Sequence, residues 1–390
     1  MSLASDVTRY LSGYLGLIFA AGLACLMALA GLTLRDVGLS RTLNAPAVCL
    51  RMIGALCVSI LMFWLCGYEL AFNVESGGFL GDFAMWSPDD ADPGSAGRAA
   101  GAVFFFHASL ASLGAGIIAA AISERVRLWP FMFFCAAWSG LIYPIVVSWV
   151  WGGGFFASEW SFSDKGGAAA IHVAAGASAL AAVLVVGPRQ GRYTHGASRP
   201  QVSTALPLSA FGLSLAVAAF LVILAGLAGS FSSVEAAISL GMIAANGMLA
   251  AAGGSLAAMF LTQTVYKRAG LVTAMTGSLA GLISVAADPV APALWQAAMI
   301  GAVGGVIVTV TPPFLDRFRF DDAGFSVPVH FFCGLWGVLV AFWVNDDVWL
   351  AGQAVGAAAI SGFSFLMSLL IWTALKYTIG VRSAPIDEAG

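Results

Sequence analysis

The sequence predicts an all-α integral membrane protein with eleven transmembrane helices, built as a five-plus-five inverted repeat followed by one extra helix. Three observations support this fold class. The chain is 60% apolar and only 9% charged, whereas soluble domains contain about 25% charged residues. Its apolar runs are long enough to form membrane spans, which need about 20 residues each. An Asp-x7-His-x3-Gly pattern also occurs twice, within residues 164–176 and 322–334.

The predicted spans are unbroken apolar runs rich in small residues. The chain contains 46 glycines, and small residues let helix backbones approach closely in lipid. A β-barrel would show short alternating segments instead. The first run lacks a basic start and a clear cleavage site, so we favour a span over the alternative, a cleaved signal peptide. The predicted spans are 10–32, 47–72, 99–122, 130–152, 166–187, 203–229, 235–264, 270–287, 292–315, 326–345 and 354–378.

The basic residues predict the orientation of the chain. Of the 17 lysines and arginines, all except Arg9, Arg98 and Lys165 fall on one side of the predicted membrane. Because basic loops stay in the cytoplasm, we expect the N-terminus outside and the C-terminus cytoplasmic. We treat residues 1–390 as a single membrane domain. Its parts are a first half-repeat at 1–187, a second at 202–345, the eleventh helix at 354–379 and a short cytoplasmic tail at 380–390.

Two of the histidines inside predicted spans belong to the repeated pattern, and an ionisable side chain at such a position is costly. The fifth span runs inward and the tenth runs outward, so an inverted repeat would bring the two copies of the pattern together near the mid-plane. At 1.5 Å rise per residue, His172 lies about 12 Å into its span and His330 about 6 Å into its own. We therefore expect the two imidazoles to meet inside the membrane.

A buried imidazole pair suits a small neutral molecule or a proton relay. A neutral imidazole offers one hydrogen-bond donor and one acceptor, and burial favours this neutral form. Two such rings can share one proton while their other nitrogens face a pore. The alternative is that each histidine only bridges helices. The repetition of the pattern favours the functional interpretation.

An aspartate and a tryptophan lie just outside the fifth span. Asp164 either shapes a cation site on the outer face or caps the N-terminus of the span, and the two roles are compatible. Trp151 either offers its ring face to a cation or belongs to the interfacial belt of aromatic residues.

These stretches resemble a known family. The segment DKGGAAAIHVAAGA, which begins at Asp164, resembles the signature of the ammonium transporter (Amt/Mep/Rh) family. The resemblance covers nearly the whole chain, and the motifs occur in the family's order. The other similar stretches are 67–72, 122–127, 151–154, 228–230, 245–252, 321–334 and 380–382.

The resemblance implies a homotrimer in the cytoplasmic (inner) membrane, with a separate pore in each eleven-helix subunit. It implies an outer ammonium site formed by Trp151 and Ser230 and supported by Asp164. It also implies a twin-histidine pore at His172 and His330. Ammonium would bind as a cation and lose its proton, and ammonia and the proton would then cross separately or together.

The chain departs from the family pattern at the outer gate, which usually consists of two stacked phenylalanines. One gate position falls on Leu110, with Phe106 one turn earlier, and the other falls on Gly226. Phe220 or Phe231 could fill the space. Two polar positions of the pattern are also replaced, by Leu227 in the sixth span and by Phe325 before the tenth.

Three functions remain open on these residues. The first is ammonium or ammonia transport, the second is an ammonium sensor that passes little of it, and the third is a Rh-like channel for neutral gas. His107 is a lone histidine in the third span, which more often serves the core than a pore. The family's tail contacts P-II regulators, but here the chain stops at Gly390, as a trimmed form or as one module of a longer chain. We expect no enzymatic activity, cofactor, metal or nucleic-acid partner.

Overall fold

The structure, a computed structural model, describes residues 3–87, 96–194, 197–199, 203–229, 233–384 and 388. Within these ranges ten helical stretches are long and apolar enough to cross a membrane, and one further apolar helix is shorter. The protein is therefore an all-helical, multi-pass membrane protein.

The helices of the first half surround the segment that carries His172. They are α1 (Leu3–Leu39), α2 (Ala45–Met62), α3 (Tyr68–Phe72), α4 (Ala96–Ala121), α5 (Leu128–Ala137), α6 (Tyr143–Val150), α7 (Phe155–Glu159) and α8 (Ala174–Val186). π-helical turns at Phe63–Gly67 and Trp138–Ile142 join α2 to α3 and α5 to α6, and a third at Ala168–Val173 leads into α8.

The second half begins after a small hairpin of strands β1 (Tyr193–Thr194) and β2 (Ala197–Ser198), which pair antiparallel. A fourth π-helical turn, Val327–Phe332, leads into the helix that follows His330. The helices are α9 (Leu206–Ala228), α10 (Val234–Tyr266), α11 (Leu271–Ser284), α12 (Leu294–Arg317), α13 (Cys333–Val344) and α14 (Leu350–Thr378).

Each predicted span corresponds to a helical stretch, and two of them differ in length. The first helix continues to Leu39, past its predicted end at residue 32. The eighth, α11, has only 14 residues and is about 21 Å long at 1.5 Å per residue. The chain after it, from Val285 to Asp288, is buried in protein, where non-helical backbone is tolerated at membrane depth.

Small residues bring the helix axes close together. A Cβ atom on Gly31 of α1 would lie 2.5 Å from the backbone oxygen of Gly212 in α9. A Cβ atom on Gly305 of α12 would lie 2.1 Å from the backbone oxygen of Gly254 in α10. Since lipid supplies no hydrophobic force between helices, such close van der Waals packing holds the bundle together.

A buried charge cluster, formed by Glu124, Arg125, Arg189 and Asp321, occupies one end of the bundle. Arg189 lies 2.8 Å from the Glu124 carboxylate and 2.9 Å from that of Asp321. Burial opposes ionisation of Asp321, but the hydrogen bonds from Arg189 and the charge of Arg125 outweigh it and hold its pKa well below the usual range. The cluster connects three loops: the loop after α4, the loop after α8 and the loop before the π-helical turn that leads into α13.

Candidate functional site

The two predicted histidines meet at the centre of the bundle. His172 and His330 lie on the π-helical turns that precede α8 and α13. Their Nδ1 atoms are 3.0 Å apart, and their rings lie 5.0 Å apart between centroids at an interplanar angle of 24°. The residues are 2% and 0% exposed, so the pair is enclosed by protein.

The aspartate of each repeated pattern caps the turn that carries its histidine. Oδ2 of Asp164 accepts hydrogen bonds from the backbone N–H groups of Ala169 and Ala170, both at 2.8 Å. Oδ2 of Asp322 accepts from the backbone N–H of Val327 at 2.7 Å. Helix starts leave such N–H groups without partners, so the spacing from aspartate to histidine has the same structural cause in both copies.

The glycine of each pattern lets one half of the chain approach the other. A Cβ atom on Gly176 would lie 2.3 Å from the backbone nitrogen of Phe331, beside His330. A Cβ atom on Gly334 would lie 2.9 Å from the carbonyl oxygen of Ala168, in the turn that carries His172. Each glycine thus admits the turn that carries the opposite histidine.

The geometry of the pair constrains its protons. Two ring nitrogens 3.0 Å apart form a hydrogen bond only when one carries a proton and the other accepts it. Nε2 of His330 is buried and has no hydrogen-bond partner among the described residues. That nitrogen is available to a small molecule that can donate or accept a hydrogen bond. Phe220 packs against His172 with ring centroids 5.2 Å apart.

Two residues of the predicted outer site, Trp151 and Asp164, lie in contact. Trp151 donates from Nε1 to the backbone oxygen of Asp164 at 2.7 Å, so the same residue that caps the helical turn also orients the indole. Asp164 is 4% exposed, and its Oδ1 has no hydrogen-bond partner among the described residues. Burial raises the pKa of Asp164 to about 6, against the lowering effect of the hydrogen bonds from the backbone. Ser230, the third predicted residue, lies outside the described residues.

The loop that holds Asp164 is fixed from the second half of the chain. The backbone N–H of Lys165 donates to the carbonyl of Ala287 at 2.8 Å, and Lys165 Nζ lies 2.7 Å from Asp288 Oδ2. Asn345 donates to the same carboxylate oxygen at 2.7 Å. These contacts give the outer aspartate a rigid support.

His107, which does not belong to the repeated pattern, lies beside Trp151. Its ring centroid is 5.7 Å from that of Trp151 and 4.7 Å from that of Phe72, both edge to face. Its Nδ1 lies 3.4 Å from the hydroxyl oxygen of Tyr143. The structure thus places His107 with Trp151 and Phe72. A histidine next to a run of phenylalanines was the only sequence signal for this position.

The gate positions do not form a stacked pair. Phe106 and Leu110 are both buried. A Cβ atom on Gly226 would lie 3.5 Å from Phe106 Cζ and 2.2 Å from the Cβ of Ala21, so Phe106 and α1 fill the space beside this glycine. Phe220 lies deeper, against His172. The other replacement considered from the sequence, Phe231, lies outside the described residues.

These features define the class of the protein: a multi-pass helical membrane protein whose two halves enclose a histidine pair, with an aromatic and acidic region at Trp151 and Asp164. Comparison with known proteins then gives the family. The model of the Ammonium Transporter Family matches residues 15–390, and this chain belongs to that family, as its motifs predicted. This is a family of transporters and not of enzymes, which is consistent with the expectation from the sequence.

Relatives and solved structures agree with this assignment. Ammonium transporter Amt2 of Archaeoglobus fulgidus is 26% identical over 393 residues, which cover 92% of this chain and 81% of the relative. A solved structure described as a sensor Amt protein superposes with a TM-score of 0.91 at 25% identity, covering 98% of this chain and 97% of that one. Mep2 of Candida albicans shares the fold at 21% identity, with a TM-score of 0.81 and coverage of 95% and 86%.

Proposed function

We propose that this protein transports ammonium nitrogen across the cytoplasmic membrane through a pore lined by His172 and His330. The observation that carries the proposal is the buried Nδ1–Nδ1 contact of 3.0 Å, together with the unpartnered Nε2 of His330. A neutral imidazole can both donate to ammonia and accept from it. A hydrated alkali cation needs several oxygen ligands, which this pair does not supply.

The outer region recruits the substrate as a cation. The ring face of Trp151 attracts a small cation, and the carboxylate of Asp164 supplies a negative charge behind it. Ser230 completes the site in this proposal. The bound ammonium loses its proton before ammonia reaches the histidines, because the apolar interior disfavours any charge. The proton passes to water at the outer face, or it crosses the membrane separately from ammonia.

The architecture of this proposal is a trimer in which each subunit has its own pore. We infer eleven spans, with α11 and the buried chain after it as the eighth. The reciprocal packing of Gly176 and Gly334 supports an inverted repeat with the histidines on its axis. The buried charge cluster and the basic loops around it support a cytoplasmic location for that end and for the C-terminus.

The proposal is tested with purified protein in liposomes that contain a pH-sensitive dye. An inward ammonium gradient is applied by rapid mixing, and internal alkalinisation reports ammonia entry. Electrical recording on a supported membrane reports charge movement in the same preparation. We expect sustained nitrogen entry that depends on the protein.

A control separates transport from sensing. His172→Ala should abolish selective conduction while the protein keeps its folded state by size-exclusion chromatography. A saturating transient current without net nitrogen entry in the parent protein would contradict transport and indicate that binding alone occurs. A His172→Ala variant that conducts like the parent would refute the histidine pore.

A further inference from the structure

The loop that ends at Asp164 lies against the first two turns of α14. A Cβ atom on Gly352 would overlap the backbone oxygen of Trp160. A Cβ atom on Gly356 would overlap the ring of Phe162. Because these two glycines are four residues apart, they lie on the same face of the helix. That face of α14 therefore admits the loop at a distance that any larger residue would prevent.

A buried glutamine in the same part of α14 holds the residue before Asp164. Oε1 of Gln353 accepts the backbone N–H of Ser163 at 2.8 Å, and Nε2 donates to the backbone oxygen of Ser163 at 2.9 Å. Nε2 also donates to the backbone oxygen of Val338 in α13 at 3.1 Å. Gln353 is 0% exposed, so water does not compete for these bonds. One amide thus joins α14, α13 and the loop.

The residue after Asp164 is held in a different way, by the chain that follows α11. The backbone N–H of Lys165 donates to the carbonyl of Ala287, and its ammonium group pairs with Asp288. The Lys165 side chain is 45% exposed, and water weakens an ion pair of this kind. The fully buried bonds of Gln353 are therefore the stronger side-chain anchor of the two.

The carboxylate of Asp164 is the group that lies between these two anchors. Its Oδ2 caps the helical turn that leads to His172, while its Oδ1 is buried and has no hydrogen-bond partner among the described residues. The charge of the adjacent Lys165 is balanced by Asp288. The carboxylate thus keeps its own charge and has one oxygen left for a cation.

We propose that Gln353 is a positioning residue that sets the affinity of the outer site for ammonium by holding the carboxylate of Asp164 in place. This inference rests on the proposed outer ammonium site. Coulomb attraction weakens with distance, so a carboxylate that is free to retreat attracts a cation on the face of Trp151 less strongly. A group that is already ordered also has no ordering cost when the ligand binds. The proposal gives a function to α14, which contributes no residue to the histidine pair.

The test compares two substitutions that loosen the loop with a matched control on the same helix. Gln353→Leu removes all three hydrogen bonds of the amide and keeps a similar side-chain size. Gly356→Ala places a methyl group against Phe162. Gly362→Ala adds the same methyl group where nothing lies within 4 Å.

A second control lowers stability at the other end of α14. Trp372 is 0% exposed and stacks on Phe134 with ring centroids 4.6 Å apart. It lies about 28 Å along the helix from Gln353, at 1.5 Å per residue. Trp372→Leu removes this buried packing and lowers the melting temperature without touching the loop.

Uptake is measured in intact cells that lack other ammonium transporters, as a function of external ammonium. We expect Gln353→Leu and Gly356→Ala to raise the half-saturating concentration at least about threefold, with an unchanged maximal rate per protein in the membrane. That factor corresponds to a retreat of the carboxylate from about 8 Å to about 11 Å from the cation at an effective dielectric constant of about 20. Gly362→Ala and Trp372→Leu should keep the half-saturating concentration of the parent.

A double-mutant cycle with Asp164→Asn separates positioning from general loosening. If Gln353 acts through the charge of Asp164, Gln353→Leu should cause no further rise in the Asp164→Asn background. Gly356→Ala completes the same cycle if Gln353→Leu does not reach the membrane.

Three results would overturn the inference. They are an unchanged half-saturating concentration in Gln353→Leu and Gly356→Ala, an equal rise in Trp372→Leu, or the same rise with and without the Asp164 charge. Absence of saturable uptake in the parent would overturn the proposed function instead.

Discussion

Asp164→Asn should weaken ammonium recruitment without unfolding the helical turn that leads to His172. One oxygen of Asp164, Oδ2, accepts both backbone hydrogen bonds at 2.8 Å. The amide oxygen of asparagine can accept the same two bonds. The substitution therefore removes the charge and keeps the cap.

The expected size of the effect follows from Coulomb's law. A cation on the face of Trp151, about 8 Å from the carboxylate at an effective dielectric constant of about 20, gains about 2 kcal/mol. Loss of that charge corresponds to an increase of roughly thirtyfold in the half-saturating ammonium concentration. Uptake is measured in intact cells that lack other ammonium transporters, so that substrate reaches the outer face alone.

The matched control is Asp322→Asn, which alters the corresponding cap in the other half of the chain. Oδ2 of Asp322 accepts the backbone N–H of Val327 at 2.7 Å, but in the proposed orientation it faces the cytoplasm. This variant should leave the half-saturating concentration of external ammonium unchanged. The same shift in both variants would indicate a structural effect and would refute the charge argument for Asp164.

The pH dependence gives a second readout of the same residue. The pKa of Asp164 is about 6, so the outer charge is present at pH 7.5 and is progressively lost as the pH falls through 6. The affinity of the parent protein for ammonium should weaken over this range, whereas the affinity of Asp164→Asn should not change with pH.

The same ionisation affects stability. Because burial raises the pKa of Asp164 in the folded protein above its ordinary value, the folded protein binds more protons than the unfolded chain between about pH 4 and pH 6. Thermal stability in detergent should therefore fall as the pH rises from 4 to 6, and the variant should lose this slope.

Three other substitutions, one of them with a matched control, test the histidine pair, its packing and the proposed outer region. His172→Ala should lower the ratio of ammonia flux to potassium leak by roughly tenfold or more, as measured in liposomes, because a polar lining group and its partner's hydrogen bond are lost. Gly334→Ala should destabilise the protein by about 1–3 kcal/mol and lower its melting temperature, since the added methyl would overlap the backbone of the turn that carries His172. Gly362→Ala, where a Cβ atom meets nothing within 4 Å, should not lower it. His107→Leu removes the polar contact with Tyr143 and should raise the half-saturating ammonium concentration a few-fold in cellular uptake assays, and an unchanged value would exclude His107 from the outer site.

The hydropathy of the sequence predicted the helices well, because a chain in lipid must form long apolar segments whose backbone polar groups are all hydrogen-bonded. It failed where an apolar run is buried in protein instead of lipid. Residues 285–287 are as apolar as a span, yet they form buried non-helical chain after α11. The end of α1 was also predicted too early, because a span read from hydropathy ends before the first charged residue, whereas α1 continues to Leu39. Arg35 and Asp36 are paired within the bundle, and only the packed structure shows that partnership.

The histidine pair was predictable because its spacing is repeated in the sequence, and the repeat has a physical cause in the caps and glycines on either side. The outer gate was not predictable in this way. Counting from neighbouring motifs placed Leu110 and Gly226 at the gate, with Phe106 one turn before Leu110, but the space beside Gly226 is taken by Phe106 and α1. Which ring lies over the pore depends on side-chain packing between distant helices. The surroundings of His107 could not be predicted for the same reason, since its partners come from α3, α6 and the loop after α6.

The two polar regions of the proposed pathway select different protonation states of the same substrate. Asp164 and Trp151 favour a cation, and the histidine pair accepts a neutral molecule. A molecule that satisfies both in turn must give up a proton between them. Potassium can occupy the outer site as ammonium does, but it has no proton to lose. Selectivity against alkali cations would then depend on the histidine pair, so His172→Ala should remove it while Asp164→Asn leaves it in place.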